Sequence, residues 1–286
     1  TDLTVRFEYT DDKTPLEEGL VAAGEGVADV SRELNIGELN DAGDSEFFIF
    51  GYDLEHQLSD NWQIKNAFRY SSREIGNTGA IPFEFDEATG LVTRFLGFQN
   101  IDAENYSLQT NLTGEFSTGS LDHTLLVGVD LNRTRDREFT GLDFANPSLL
   151  DIFDPVYGDF DDVDPLSVPV ARNNSLETDR LGIYLQDQVE ILDGLILLAG
   201  IRYDTVSQEN VVGPTAFSPT TSETTQNDDA WTPRVGIVYQ PLDFLSLFAS
   251  YSQSFTPSTQ LDVDENPLEP ERGEGFDVGV KPEMLD

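Results

Sequence analysis

The sequence has no cysteine and few basic residues. The missing cysteine excludes disulfides, cysteine-ligated zinc sites and cysteine nucleophiles. Only 16 Lys and Arg face 54 Asp and Glu, giving a net charge of -38. Because such a chain repels phosphate groups, we expect no nucleic-acid partner. No apolar run approaches the roughly 20 residues of a transmembrane helix, so a helical membrane protein is excluded.

Histidine is also scarce, and no motif of a catalytic nucleophile stands out. The two histidines, His56 and His123, lie on apolar strand faces near short turns, where packing is the expected role. No GxSxG motif is present, so the nucleophile of a hydrolase is missing and we expect no enzyme. The acidic run at 159–164 offers oxygen ligands for calcium, but Asp164 stands where an EF-hand needs glycine. We therefore favour a solvated acidic loop and expect no metal site.

The pattern that does recur is alternation of apolar and polar side chains, which is typical of strands. In 195–203 one face carries Leu195, Leu197, Ala199, Ile201 and Tyr203, while Gly200 and Arg202 lie on the other. The chain has enough apolar and aromatic residues, 38% and 10%, to make disorder improbable. The same reading gives about ten strands, near 2–10, 46–58, 61–74, 105–116, 121–131, 177–191, 195–203, 231–240, 245–256 and 272–282.

The connections between these strands alternate strictly between short and long. Short turns are expected at 59–60, 118–120, 193–194 and 242–243, and long loops at 11–45, 75–100, 140–176, 211–229 and 257–271. Short turns at one end and long loops at the other are typical of bacterial outer-membrane β-barrels. Many strands exceed the common soluble length of about 5 to 6 residues, and aromatics favour strand ends. The pattern favours a membrane barrel over a soluble β-sandwich, which remains the alternative.

Several stretches resemble the barrel domain of TonB-dependent ferric-siderophore receptors, especially the ferrichrome-receptor-like group. They are LGIYLQDQVEILDGLILLAGIRYD at 181–204, WTPRVGIVYQP at 231–241, YSQSFTPS at 251–258 and PLEPERGEGFDVGVKPE at 267–283. The resemblance implies an all-β, antiparallel transmembrane barrel of about 22 strands, of which this chain would supply about ten. Residues 1–286 would then be an interior part of that barrel. The plug domain and the C-terminal strands are expected to lie outside this chain.

The resemblance also implies a function, which is uptake of ferric siderophores across the outer membrane of a bacterium. TonB, with ExbB and ExbD, would act through an N-terminal region expected outside this chain. The ferric siderophore would be the transported ligand, lipid would surround the barrel, and no covalent cofactor is implied. The alternatives are a passive porin, a soluble extracellular β-sandwich binding or adhesion module, and an outer-membrane hydrolase.

Aromatic residues in the expected long loops are candidates for a ligand vestibule, and packing between loops is their alternative role. An acidic, aromatic vestibule would disfavour an anionic ferric-citrate-like ligand, so a near-neutral hydroxamate-type siderophore is favoured. On the polar strand face, which would line the lumen, Arg202 and Arg234 are further candidates. Glycines on that face would permit close approach of an internal element, or would serve sheet curvature. The aromatic candidates are Phe83, Phe85, Phe95, Phe98, Phe144, Phe153, Tyr157 and Phe160. The polar side chains of Gln186, Gln188, Arg202 and Asp204 can form a hydrogen-bonded ladder on the lumen face. The glycines on that face are Gly182, Gly200, Gly236 and Gly279.

Overall fold

The computed structural model describes residues 1–160, 163–164, 167–258, 262–263 and 268–282. Ten strands follow one another in chain order through one antiparallel sheet, which confirms the fold class and the ten predicted strands. These are β1 (Asp2–Pro15), β4 (Ala42–Ser59), β5 (Trp62–Asp86), β6 (Leu91–Thr118), β7 (Leu121–Leu142), β9 (Val170–Leu192), β10 (Leu195–Val212), β11 (Ser222–Leu242), β12 (Leu245–Thr256) and β13 (Glu271–Pro282). The short strand β8 (Ser148–Asp151) pairs with the outer end of β6, and β2 (Ala22–Ala23) with β3 (Gly26–Val27).

One face of this sheet is apolar along its whole width, and no other described part of the chain packs on it. Ile183, Leu185 and Ile201 are 50%, 47% and 43% exposed. A soluble sandwich would bury this face against a second sheet, so the sandwich alternative is wrong. An apolar face turned outward suits the lipid contact of a membrane barrel. Among the described residues, no helix is long and apolar enough to cross a membrane.

Aromatic rings border the apolar face at both ends. Toward the long loops the rings pair across strands with centroids 4.7 Å apart, in Tyr70–Tyr106, Tyr203–Trp231 and Tyr251–Phe276. Toward the short turns Phe116 stacks between Trp62, at 6.5 Å, and His123, at 4.9 Å. Two aromatic rows that enclose an apolar band are typical of the interfacial girdles of membrane barrels.

The predicted long loop at 75–100 is wrong, because β5 and β6 continue as one extended hairpin. Only 87–90 separate the two strands. The Asp86 carboxylate accepts hydrogen bonds from the Ala88 amide at 2.9 Å and the Thr89 hydroxyl at 2.7 Å. Gly90, with φ 74°, closes the turn in the left-handed region that glycine tolerates. These hydrogen bonds also hold the pKa of Asp86 below its usual range.

The other connections keep the predicted alternation of length. The expected loops at 140–176 and 211–229 shrink to 143–169 and 213–221, because the flanking strands run further outward. All four short turns are confirmed, and Gly119 and Gly194 take φ values of 67° and 73° there. The extra strand length projects beyond the upper aromatic row, so the sheet carries an extension on its long-loop side.

This extension contains most of the buried side chains among the described residues. On its outer side, segment 16–41 packs onto the tip of the β5–β6 hairpin and onto β8. Arg94 is fully buried there and donates to Glu38 at 2.9 Å, to Ser148 at 2.8 Å and to the Gly37 carbonyl at 2.6 Å. Arg94 therefore ties three separate segments together. The apolar cluster around it consists of Val21, Ala28, Ile36, Val92, Leu150 and Ile152.

Candidate functional site

The face opposite the apolar one, here called the lumen face, carries a fixed arginine. Arg202 donates to Asp130 at 2.6 Å and to Asp204 at 2.8 Å, and its guanidinium lies 5.1 Å from the Tyr184 ring. Both carboxylates bond the one guanidinium, so the charge of Arg202 is matched by acidic groups of the sheet itself. Of the predicted ladder, the structure shows the pair Arg202–Asp204, and Asp130 and Tyr184 join it instead of Gln186 and Gln188.

The lumen-face glycines make room for side chains of the sheet itself. A Cβ at Gly182 would overlap the Arg202 guanidinium, and one at Gly200 would lie 3.0 Å from Cγ of Arg234. Arg234 itself is exposed on this face. A Cβ at Gly279 would overlap the ring of Phe248, whereas a Cβ at Gly236 would have no atom nearer than 3.7 Å. At three of the four predicted glycines the space is therefore occupied within the sheet.

Four phenylalanines, named here the aromatic cluster, meet on the lumen side of the extension: Phe83, Phe95, Phe144 and Phe217. Ring centroids are 5.4 Å apart in Phe83–Phe95, 5.1 Å in Phe95–Phe144 and 6.5 Å in Phe144–Phe217. Phe95 is buried, whereas Phe83, Phe144 and Phe217 are 67%, 47% and 69% exposed. Exposed rings that converge from three segments form an apolar surface of the kind that ligands contact.

The sequence singled out three of these four residues and missed Phe217. That residue is the one aromatic of 213–221, which is otherwise rich in threonine, serine and proline. Its neighbour Ala216 donates a backbone hydrogen bond to Val170 at 2.8 Å, which draws the loop toward β9. A lone aromatic in a polar loop was the only available signal.

The remaining aromatic candidates pack the loops together, as the alternative interpretation stated. Phe85 and Tyr157 lie on the apolar cluster around Val92, and the Tyr157 hydroxyl donates to the Asn35 carbonyl at 2.9 Å. Phe98 is buried with Leu96 and Val168, and Phe160 packs beside them. Phe160 also lies 5.9 Å from the Arg94 guanidinium. Phe153 is 68% exposed but lies on this outer side, against Gly90.

Within the described residues, neither histidine is part of a recognisable metal site. His123 bonds Asp187 at 2.8 Å and Thr118 at 2.6 Å, and His56 bonds Thr1 at 2.5 Å. Asp161 and Asp162 of the acidic run lie outside the described residues. In the described part of the chain, no group of three or more His, Asp or Glu could hold a metal ion.

Two cavities of about 380 Å³ each open on the lumen face. The upper cavity is largely apolar, with Ile81 and Leu142 in its wall and Glu18 at its edge. Burial, and then the nearby Asp41 carboxylate, raises the pKa of Glu18. The second, here called the polar cavity, lies between β7, β9, β10 and β11 and is lined by Asp136, Asn174, Leu176, Gln208, Asn210 and Gln226. Each cavity falls in the size range of small-molecule sites, about 300 to 1,000 Å³.

This chain belongs to the TonB-dependent receptor-like β-barrel family, whose model matches residues 1–286. The metal-pseudopaline receptor CntO of Pseudomonas aeruginosa strain UCBPP-PA14 is 28% identical over 100% of this chain and 40% of its own length. The ferrichrome outer membrane transporter/phage receptor of Escherichia coli K12 is 29% identical over 87% of this chain and 35% of its own length. The chain thus spans about two fifths of such relatives.

Among solved structures, the siderophore receptor PiuA from Acinetobacter baumannii superposes with a TM-score of 0.75 at 22% identity, covering 99% of this chain and 45% of that one. At this identity the likeness shows the fold, which is that of part of a larger barrel. The family consists of outer-membrane receptors and transporters, so the expected location in the outer membrane and the absence of an enzyme class are confirmed.

Proposed function

We propose that this chain forms the wall and outer vestibule of a receptor that takes up ferric siderophores across the outer membrane. The observation that carries the proposal is the exposed aromatic cluster on the lumen side of the extension, on the same face as two ligand-sized cavities. Relatives named for metal-pseudopaline, ferrichrome and ferrioxamine B point to the same class of cargo. The chain would contribute contact surface and shape, with no covalent step.

We further propose a near-neutral or cationic, hydroxamate-type ferric complex as the cargo. Carboxylates of Glu18, Asp136 and Glu138 line the two cavities, and Arg172 compensates only Glu138, at 3.0 Å. An anionic complex would enter against this field, because charges in a low-dielectric cleft are weakly screened. The ferrichrome and ferrioxamine B receptors among the relatives support this choice.

Energised transport would involve TonB with ExbB and ExbD, acting on parts of the receptor beyond the barrel wall described here. Residues 1–286 would remain a static scaffold against which a plug domain moves. Membership of the family supports this division of roles.

Uptake of radioactive iron tests the proposal. The full-length receptor would be expressed in a bacterium that lacks its own siderophore receptors and supplied with ferrichrome, ferrioxamine B or ferric citrate. We expect uptake of at least one hydroxamate complex, loss of that uptake when tonB is deleted, and little uptake of ferric citrate. Equal uptake with and without TonB would overturn the transport proposal and favour a passive porin.

A further inference from the structure

Gln208 is a buried polar side chain with an unmet hydrogen-bonding group. It lies on the lumen face of β10, is 5% exposed and lines the polar cavity. Within the described residues its Oε1 has no hydrogen-bond donor. Buried polar atoms are nearly always paired, because an unpaired one destabilises the folded chain. The glutamine amide is therefore free to turn toward a donor placed in the cavity without losing a protein hydrogen bond at its oxygen.

Asp136 presents a carboxylate on the other side of the same cavity. Asp136 lies on β7 and pairs with Leu176 of β9, and Leu176 pairs with Asn210 of β10. Gln208 is also on β10, so the two side chains lie two strands apart. Among the described residues Asp136 forms no ion pair, since Arg172 is held by Glu138 at 3.0 Å. Arg137 also borders the cavity, but strand alternation directs its side chain to the opposite face, with Arg135.

The polar cavity thus combines an uncompensated carboxylate with an acceptor that lacks a donor. A protonated amine satisfies both groups, because it carries positive charge and up to three N–H donors. An anion or a group with acceptors alone satisfies neither. Leu176 and Ile101 add apolar wall against which the methylene groups of an alkylamine can pack.

The position of the cavity fits an arm of the cargo better than its metal centre. The loop that carries Phe217 lies immediately above it, where Gly213 donates to the Asn173 carbonyl at 2.7 Å next to the cavity residue Asn174. A ferric complex held against the aromatic cluster can therefore extend an amine downward between β7 and β10. At about 380 Å³ the cavity accommodates such an arm.

We propose that the polar cavity is a subsite for a protonated amine on the ferric complex, with Asp136 pairing its charge and Gln208 accepting one N–H. The proposal rests on the function proposed above. It makes Asp136 and Gln208 specificity-determining residues for amine-bearing cargo.

The test compares ferrioxamine B, a ferric trihydroxamate with a free terminal amine, with its N-acetyl derivative, which has the same ferric centre and no charge on that arm. Binding to the purified full-length receptor is measured by calorimetry. We expect the amine form to bind about tenfold more tightly, the gain typical of one charged hydrogen-bonded contact. Asp136→Asn and Gln208→Leu should each reduce that ratio toward one, while leaving the affinity for the acetylated form unchanged.

Matched controls are Asp229→Asn, on the apolar-side face of β11, and Gln188→Leu, on the lumen face near the short turns. Both should keep the wild-type ratio. Equal binding of the two compounds to the wild type, or an unchanged ratio in both cavity variants, would overturn the subsite and leave siderophore uptake standing. Failure of the wild type to bind ferrioxamine B, its acetyl derivative, ferrichrome and ferric citrate alike would overturn the proposed function and the subsite together.

Discussion

Arg94 and Phe95 are neighbours in sequence and have opposite surroundings. Successive residues of a strand point to opposite faces, so Arg94 lies on the outer side of the extension and Phe95 on its lumen side. Arg94 is sealed among Glu38, Ser148 and Gly37, whereas Phe95 lies beneath exposed phenylalanine rings. The two faces of one hairpin therefore differ: the outer face is buried and stabilises the extension, and the lumen face is open to a ligand.

The two sides are stabilised by different physics. On the outer side a buried charge is matched by the Glu38 carboxylate, by Asp159 at 3.6 Å and by neutral acceptors, so removing one group leaves another without its partner. On the lumen side the apolar rings need no hydrogen-bond or charge partner and remain partly in water. One ring can therefore be removed with little loss of folding stability. Substitutions should thus separate stability of the extension from affinity for cargo.

The largest effect is expected from Arg94→Leu. The substitution leaves Glu38 buried without its cation, at a cost of about 3 to 5 kcal/mol. We expect hydrogen exchange in 16–41 and 148–160 to accelerate strongly, while exchange in the membrane-level strands stays unchanged. Arg32→Leu, at an exposed position of the same segment, is the matched control. Unchanged exchange in the Arg94 variant would show that the outer side is held by its apolar cluster alone.

A smaller effect, confined to binding, is expected from Phe83→Ala combined with Phe217→Ala. Loss of two contact rings should weaken binding of a hydroxamate complex by about tenfold or more, as is usual for aromatic contact residues. Hydrogen exchange of the extension should remain as in the wild type. Phe153→Ala removes an equally exposed ring from the outer side and should leave affinity unchanged. If that control weakened binding as much, the two sides would not differ in function.

The smallest effect is a pH dependence at Asp41. Its Oδ2 accepts hydrogen bonds from the amides of Glu38 at 2.7 Å and Ala80 at 3.0 Å, yet burial, the largest influence, raises the pKa of this carboxyl. A carboxyl whose pKa is higher in the folded than in the unfolded state stabilises the fold below its ordinary pKa of 3.8, and this contribution is lost as pH rises through the folded-state pKa.

Protection of the Glu38 and Ala80 amides, corrected for intrinsic exchange, should therefore decrease as pH rises above about 4. Asp41→Asn keeps an acceptor oxygen without the charge and should flatten that dependence. Glu33→Gln, at an exposed position nearby, is the control and should retain it. A pH dependence that persists in Asp41→Asn would assign it to another group, such as Glu18, whose pKa burial also raises.

The strands and short turns were predictable because alternation and turn chemistry are local. The distribution of the aromatic residues between the two faces could not be predicted, because a bulge between Pro82 and Glu84 places Phe83 on the lumen side and Phe85 on the outer side. Without that bulge the two rings would share a face. The surroundings of Arg94 depend on Glu38 and Ser148, which are 56 and 54 residues away in sequence. No local pattern encodes such a distant pairing.

The central claim is that one face of the wall meets lipid and the other meets the lumen, and adjacent residues of β9 test it most directly. Because the chain has no cysteine, single nitroxide labels at Leu185→Cys and Gln186→Cys are clean probes once any cysteine elsewhere in the receptor is removed. In a reconstituted bilayer, the label at 185 should be accessible to oxygen and shielded from a water-soluble nickel chelate, as expected for a lipid-facing position. The label at 186 should not show this combination of high oxygen and low nickel accessibility. The same accessibility at both positions would contradict the two-faced wall.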